Sequence, residues 1–382
     1  MVLFFCFLAI GGAIYYVSSV KEKTESVNVE QFEAVAKIPE QRVPEKFEKF
    51  IKPKPAPVSM DRVKKQGCVT DGLLSEYNPD YPEFVDLINR SHCYYLHRAI
   101  ETWLKPPDFD TIHFELSQIK KKDVVYGMFI AEALKTDAKY LNIETQKEFD
   151  FSLMCRAGSE DYWGVNTCKP IFASEEYREY IKYITHKAID LGVQGFTFGQ
   201  IYWQEDGKKD YAPGIIKDMR DYAKKNGVDI IIGAQTGAIT DPKYLGLFDF
   251  IEGGVGIDNS GNIESGPCLS FRGGCWALLW HDNFAKNAKN VLLHLDWTGI
   301  KSDDLDRFAR MDQNTRALTL ANLYDFFNAK NMGFMMPYFG VLDKDNGGCR
   351  GPKKKFYSPD MKYTCRDEKT IDSLLSGLDV HF

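Results

Sequence analysis

The chain lacks any concentration of positive charge. Its 48 Lys and Arg are outnumbered by 54 Asp and Glu, giving a formal net charge of −6, and no basic stripe marks a nucleic-acid surface. No strand–helix junction carries GxGxxG or GxxxxGK[ST], which removes the usual phosphate cradles of nucleotide enzymes. GxSxG and HExxH are also missing, so neither a nucleophile elbow nor a zincin helix is present. No two cysteines have CxxC spacing, which argues against a structural zinc site.

What the chain does have is apolar and aromatic material. Of 382 residues, 44% are hydrophobic and 14% aromatic, enough for a sizeable core and too much for a disordered chain. The first such stretch, "VLFFCFLAIGGAIYYV" at 2–17, is uncharged and nearly long enough to span a bilayer. It has no basic start and only a weak small-residue cleavage site, so residues 1–20 read as an uncleaved anchor, with a cleaved signal as the alternative. Residues 21–60 are rich in Glu, Lys and Pro and read as a semi-extended stalk. The remainder, 61–382, is the folded domain.

Lys21 and Lys23 favour a cytoplasmic body by the positive-inside rule, but the cysteines point the other way. Beyond Cys6, eight remain: Cys68, Cys93, Cys155, Cys168, Cys268, Cys275, Cys349 and Cys365. Taken as four successive pairs they close short local loops, each stabilising by roughly 2–4 kcal/mol. Such bonds persist in an oxidising compartment. The expected location is therefore the cell membrane, single-pass with the main domain extracytoplasmic, or alternatively secreted.

From Gly67 onward, helical and strand patterns alternate. Residues 81–104 carry Phe84, Leu87 and Ile88 on one helical stripe. Strands are expected at 123–134, 149–155, 192–207, 228–234, 248–254, 290–299 and 332–340. Helices are expected at 174–192, 212–226, 241–247, 273–288, 303–330 and 367–377, and "KYLNIETQKEFDFS" looks like a hairpin. Apolar strands joined by crossover helices predict an α/β fold: a (β/α)8 TIM-type barrel, partly irregular at its start, behind a transmembrane anchor.

Such barrels carry their chemistry at the C-terminal ends of the strands. The residues falling there are Glu132, then Arg156, Glu160, Asp161, Tyr162 and Trp163, then Gln200, Trp203 and Glu205, then Gln235, Glu252, Asp296, Trp297 and Tyr338, with His294 on the same strand as Asp296. Acids, amides and aromatics at one rim suit a carbohydrate, because glycoside cleavage needs two carboxyl groups while aromatic faces stack on sugar rings. His294 and Asp296 share strand parity, which allows an oriented acid, a metal held between them, or a satisfied core network.

Within 192–207, "GVQGFTFGQI" resembles the fourth strand of family-18 chitinase-like barrels, whose motif is D-x-x-D-x-D-x-E. Aligned on Gly192 and Gly195, the four acidic positions hold Gln194, Thr197, Gly199 and Ile201, so the acids of that motif are missing. The resemblance implies a strand of that shape and a glycoside-hydrolase-like barrel, without chitinase chemistry.

The sequence therefore predicts a membrane-tethered, extracytoplasmic, glycoside hydrolase-like protein acting on a polysaccharide or cell-envelope glycan. Asp296 is the expected nucleophile or base, with Glu132 or Glu252 as general acid. Gln200, Trp203, Glu205, Trp297, Tyr338 and His294 are the expected substrate contacts. No cofactor or metal is implied, and no nucleic acid. The alternatives are a non-catalytic carbohydrate-binding protein on a degenerate barrel, or hydrolysis of an envelope ester or amide.

Overall fold

The computed structural model describes residues 55–77, 82–207, 209–265, 276–298, 303–344, 347–352 and 356–377. The expected anchor at 1–20 and most of the expected stalk lie outside these, as does the expected Cys268–Cys275 pair. Among the described residues, no helix is long and apolar enough to cross a membrane.

Seven parallel strands lie side by side in chain order: β1 (Gly67–Thr70), β2 (Tyr95–Ile100), β3 (Val125–Ile130), β4 (Gly195–Phe198), β5 (Ile231–Ala234), β6 (Phe250–Gly254) and β7 (Val291–His294). The eighth strand, β8, runs in two segments, Gly333–Phe334 and Met336–Val341, and a short strand, Phe356–Tyr357, pairs antiparallel with the second. Its first segment pairs with β7 and its second with β1, both parallel. The sheet thus curls back onto its own beginning, as in a TIM-like fold.

Helices fill the crossovers, and their ends are written in the sequence. Ser174 accepts a hydrogen bond from Tyr177 N at the start of the helix Glu175–Asp190. That helix stops where Gly192 turns to φ +84°, with Gly192 N bonded to Ile189 O and Val193 N to Ala188 O. The helix Ala212–Lys225 ends the same way at Gly227, φ +66°. In both cases a barrel strand begins a few residues later, so two glycines set where β4 and β5 enter the lumen.

Several expected elements change. The helical reading of 81–104 holds only for Glu83–Arg90; Ser91 then turns extended and Tyr95–Ile100 becomes β2, tied to β1 by Cys68–Cys93. The short β1 was not expected from the sequence at all. The strand expected at 149–155 is a 3-10 turn, Phe151–Met154, because Asp150 caps it through Ser152 N. The expected strand 192–207 shortens to β4, since Gln200 at φ +31° turns the chain into a helical turn, Ile201–Gln204. The long helix at 303–330 is two, Asp304–Arg310 and Gln313–Ala329, separated where Asp312 caps the second. The expected hairpin forms, pairing Leu141–Asn142 with Lys147–Glu148.

Three of the expected disulfides are present: Cys68–Cys93, Cys155–Cys168 and Cys349–Cys365. The stretch just before Met60 is already docked. Gln194 Nε2 donates to Ala56 O, Val58 N to Asp229 Oδ2 and Ser59 N to the Tyr94 hydroxyl.

Candidate active site

Two tiers of polar side chains occupy the barrel. The inner tier is built by alternation on β2, where Tyr95 and His97 share a face. Glu252 on β6 and His294 on β7 meet them, and all four side chains are essentially inaccessible. His294 Nε2 lies 3.0 Å from Glu252 Oε1 and His97 Nε2 lies 3.2 Å from Glu252 Oε2. Gln235, just past β5, donates its Nε2 to Glu252 Oε1 at 3.1 Å. Behind the imidazoles, the Tyr95 hydroxyl is 3.2 Å from His97 Nδ1, and His294 Nδ1 is 3.1 Å from Leu295 O. Burial works against a charge on Glu252, but the two imidazoles outweigh it and hold the carboxyl well below the usual carboxylate range. Burial likewise lowers His97, favouring its neutral form.

The outer tier centres on Glu132, two residues past β3. Gln200 Nε2 donates to its Oε1 at 2.5 Å, while its Oε2 is buried without a hydrogen bond. Gly199 makes the room: a Cβ there would overlap Glu132 Oε2. Burial pushes the Glu132 carboxyl up to about 7, against the weaker opposing pull of its own backbone N–H, Arg98 and the Gln200 bond. The left-handed backbone at Gln200 joins the tiers, because Gln200 N donates to Gln235 Oε1 at 3.0 Å while its side chain reaches Glu132. The Tyr202 hydroxyl donates to Gln200 Oε1 at 3.1 Å.

Around these groups stand two cations. Arg98 bonds Glu101, lies 3.7 Å from Asp71 and stacks over Phe129 and Trp297. Lys169 comes from the segment between β3 and β4. Its ammonium sits 3.3 Å from the Tyr162 ring centre and 3.4 Å from that of Trp203. Burial pushes it down to about 8, although Glu132 pulls the other way.

The structure thus brings Glu132, Gln200, Glu252 and His294 into one connected network. Trp203 joins it through Lys169 and is 38% exposed, so one ring is open to solvent beside the network. Other expected contacts have different roles. Glu205 caps the helix Ala212–Lys225, accepting from Tyr211 N and Ala212 N. Trp297 is buried, its indole N–H given to Asp71 at 2.8 Å and its ring set edge-on against His294. The Tyr338 hydroxyl turns to Asp372 on the last helix. Asp296 is half-buried just past β7, where its charge raises Asp303 on top of that residue's burial.

The sequence reading missed Tyr95, His97, Arg98, Glu101 and Lys169. For the first four the signal was only the pair of strand-favouring aromatics Tyr94 and Tyr95 after Cys93. For Lys169 there was none, since its aromatic partners are separated from it in sequence and brought near by the fold.

No protein-family model matches the chain, and no curated protein matches it in sequence. Among solved structures it is similar to an Anoxybacillus α-amylase, at 10% identity and TM-score 0.44, covering 79% of this chain and 71% of that one. It is similar to the glycoside hydrolase domain of PelA from Pseudomonas aeruginosa, at 10% identity and TM-score 0.38, covering 68% and 94%. A third is a GH27 β-L-arabinopyranosidase from Geobacillus stearothermophilus, at 11% identity and TM-score 0.32, of which the chain spans about half, 53%. Likenesses this distant transfer no residue role and no activity.

Proposed function

We propose that the domain is a glycoside hydrolase-like protein acting on a polysaccharide or cell-envelope glycan outside the cytoplasm. The observation that carries this reading is Glu132. It is a carboxyl at the C-terminal end of a barrel strand, raised to about 7, with one oxygen fixed by Gln200 and the other unbonded. A carboxylic acid still protonated near neutrality is what a glycosidic oxygen needs as it departs. Asp296, half-buried past β7, is the partner: its carboxylate attacks the anomeric carbon, or takes the proton of a water that does. Glu252 is enclosed by His97, His294 and Gln235, so it positions the Gln235–Gln200–Glu132 chain instead of touching substrate. Gln200 and the exposed face of Trp203 orient the sugar. The three disulfides support an extracellular domain, and the apolar N-terminal stretch would tether it to the membrane.

Sugar binding without turnover is the second reading, favoured by how completely Glu132 and Glu252 are enclosed. A cleavage and binding screen of the full chain against glycans separates the two. Cleavage that is lost in Asp296→Asn, and in Glu132→Gln except on substrates with an activated aryl leaving group, supports hydrolysis. Glycan binding with no cleavage in the wild type refutes it.

A further inference from the structure

We propose that His97, Glu252 and His294 form a binding site for one divalent transition-metal ion of the zinc class, deep in the barrel beneath Glu132. The three residues come from β2, β6 and β7, and one ligand atom from each lies within 4.8 Å of the others. Metal–ligand bonds of ~2.1 Å in a tetrahedral site leave ligands ~3.4 Å apart. The two imidazole–carboxylate separations here are 3.2 and 3.0 Å, so a small closure or opening of the side chains is all that metal insertion requires.

The protons argue more strongly than the distances. Leu295 O can only accept, so the 3.1 Å contact to His294 Nδ1 places the ring proton there. With its single ring proton on Nδ1, the imidazole would present the lone pair of Nε2 to Glu252 Oε1, acceptor against acceptor at 3.0 Å. On the other side, His97 Nε2 and Glu252 Oε2 are buried with no well-aligned hydrogen bond. A cation among these atoms satisfies all of them at once. The groups behind the ligands already have the form of a metal site's outer support. Leu295 O fixes His294, the Tyr95 hydroxyl lies on His97 Nδ1, and Gln235 bonds the carboxylate.

Charge is consistent with this. Two neutral imidazoles and one carboxylate leave a dication with one positive charge in excess. Arg98 stands between Asp71 and Glu101, a group with one negative charge in excess. Two nitrogens and one carboxylate favour zinc, nickel or copper over magnesium or calcium, which take oxygen ligands. The site differs from the His294–Asp296 pair suggested by strand parity, because the grouped ligand atoms come from His97, Glu252 and His294.

The test is the metal content of the full, disulfide-bonded chain expressed in zinc-supplemented medium, followed by expression with cobalt. Expected are about one zinc per chain and, with cobalt, visible d–d absorption of a low-symmetry nitrogen-ligated site. His97→Gln and Glu252→Gln should each lose most of both. A wild type with far less than stoichiometric zinc and no cobalt bands overturns the site and leaves a protonated His294–Glu252 pair in its place. Variants that fold and retain full metal overturn it equally, and if they fail to fold the wild-type measurements alone decide. None of these readouts depends on glycan turnover.

Discussion

Glu132 supplies a prediction whose size can be worked out. Its carboxyl titrates near 7 in the folded protein instead of the ordinary 4.5, chiefly because the side chain is buried. The folded state therefore holds a proton that the unfolded chain releases at lower pH. Between those two values the native state binds more protons than the unfolded state, so this group's contribution to stability falls as pH rises. It is complete below the unfolded value and is lost on passing through the folded one. At ~1.4 kcal/mol for each pH unit, the loss is ~3 kcal/mol across the window. Glu132→Gln removes the titration. The substituted amide can still accept from Gln200 Nε2, but its own N–H groups face the unbonded side near Gly199, which costs about 1–3 kcal/mol at every pH. That constant cost cancels when the wild-type-minus-variant difference is followed with pH. In urea unfolding of the oxidised protein, the wild type's advantage at about pH 5 should shrink by ~2.5 kcal/mol on going to about pH 8 and can change sign. A difference that stays flat to within about 0.5 kcal/mol refutes the buried, protonated Glu132, and the general-acid assignment falls with it.

Gly199→Ala puts a methyl group where Glu132 Oε2 sits, so the carboxyl must move or the strand end must shift; denaturation should show a loss of about 1–3 kcal/mol, and a neutral result would mean that the site is looser than described. The three disulfides predict that thiol labelling of the native, unreduced protein leaves Cys68, Cys93, Cys155, Cys168, Cys349 and Cys365 unmodified, and that reduction slows migration in electrophoresis. Full labelling without reductant would argue against an oxidising compartment.

Part of the barrel's second half was legible because two crossover helices carry their own stop signals. Gly192 and Gly227 mark the ends of two helices, and the apolar runs that follow have little choice but to be strands. From there Glu252 and His294 could be placed on their strands by counting, although the structure sets them in the inner tier and not at the rim. The first quarter resisted for a physical reason. The apolar spacing of Phe84, Leu87 and Ile88 continues into Tyr94 and Tyr95 without a glycine or proline to break it, so helical periodicity runs on past the true end at Arg90. Losing β2 meant losing His97 and Arg98, and with them the partners of Glu252 and Asp71. Trp297 and Tyr338 show the converse error. Position at a strand end is visible in sequence, but whether a side chain turns to solvent or into the wall depends on partners such as Asp71 and Asp372, which are distant in the chain.

The cost of the inner tier is itself an argument for function. A TIM-like lumen is ordinarily filled by branched aliphatic side chains, which pack densely and leave nothing unsatisfied. Here three inward positions on β2, β6 and β7 hold His97, Glu252 and His294, with the hydroxyl of Tyr95 directed at one of them. Replacing a buried charged cluster with hydrophobes of similar volume is often neutral or stabilising by about 1–4 kcal/mol, so stability alone does not call for this arrangement. Nor is the cluster satisfied as a closed network, since His97 Nε2 and Glu252 Oε2 lack a hydrogen bond. A tier that is expensive, incomplete and connected through Gln235 and Gln200 to a carboxyl raised to about 7 is built for something other than holding the barrel together. A bound cation completes the lower tier, and the amides of Gln235 and Gln200 link that completion to the orientation of Glu132 above it.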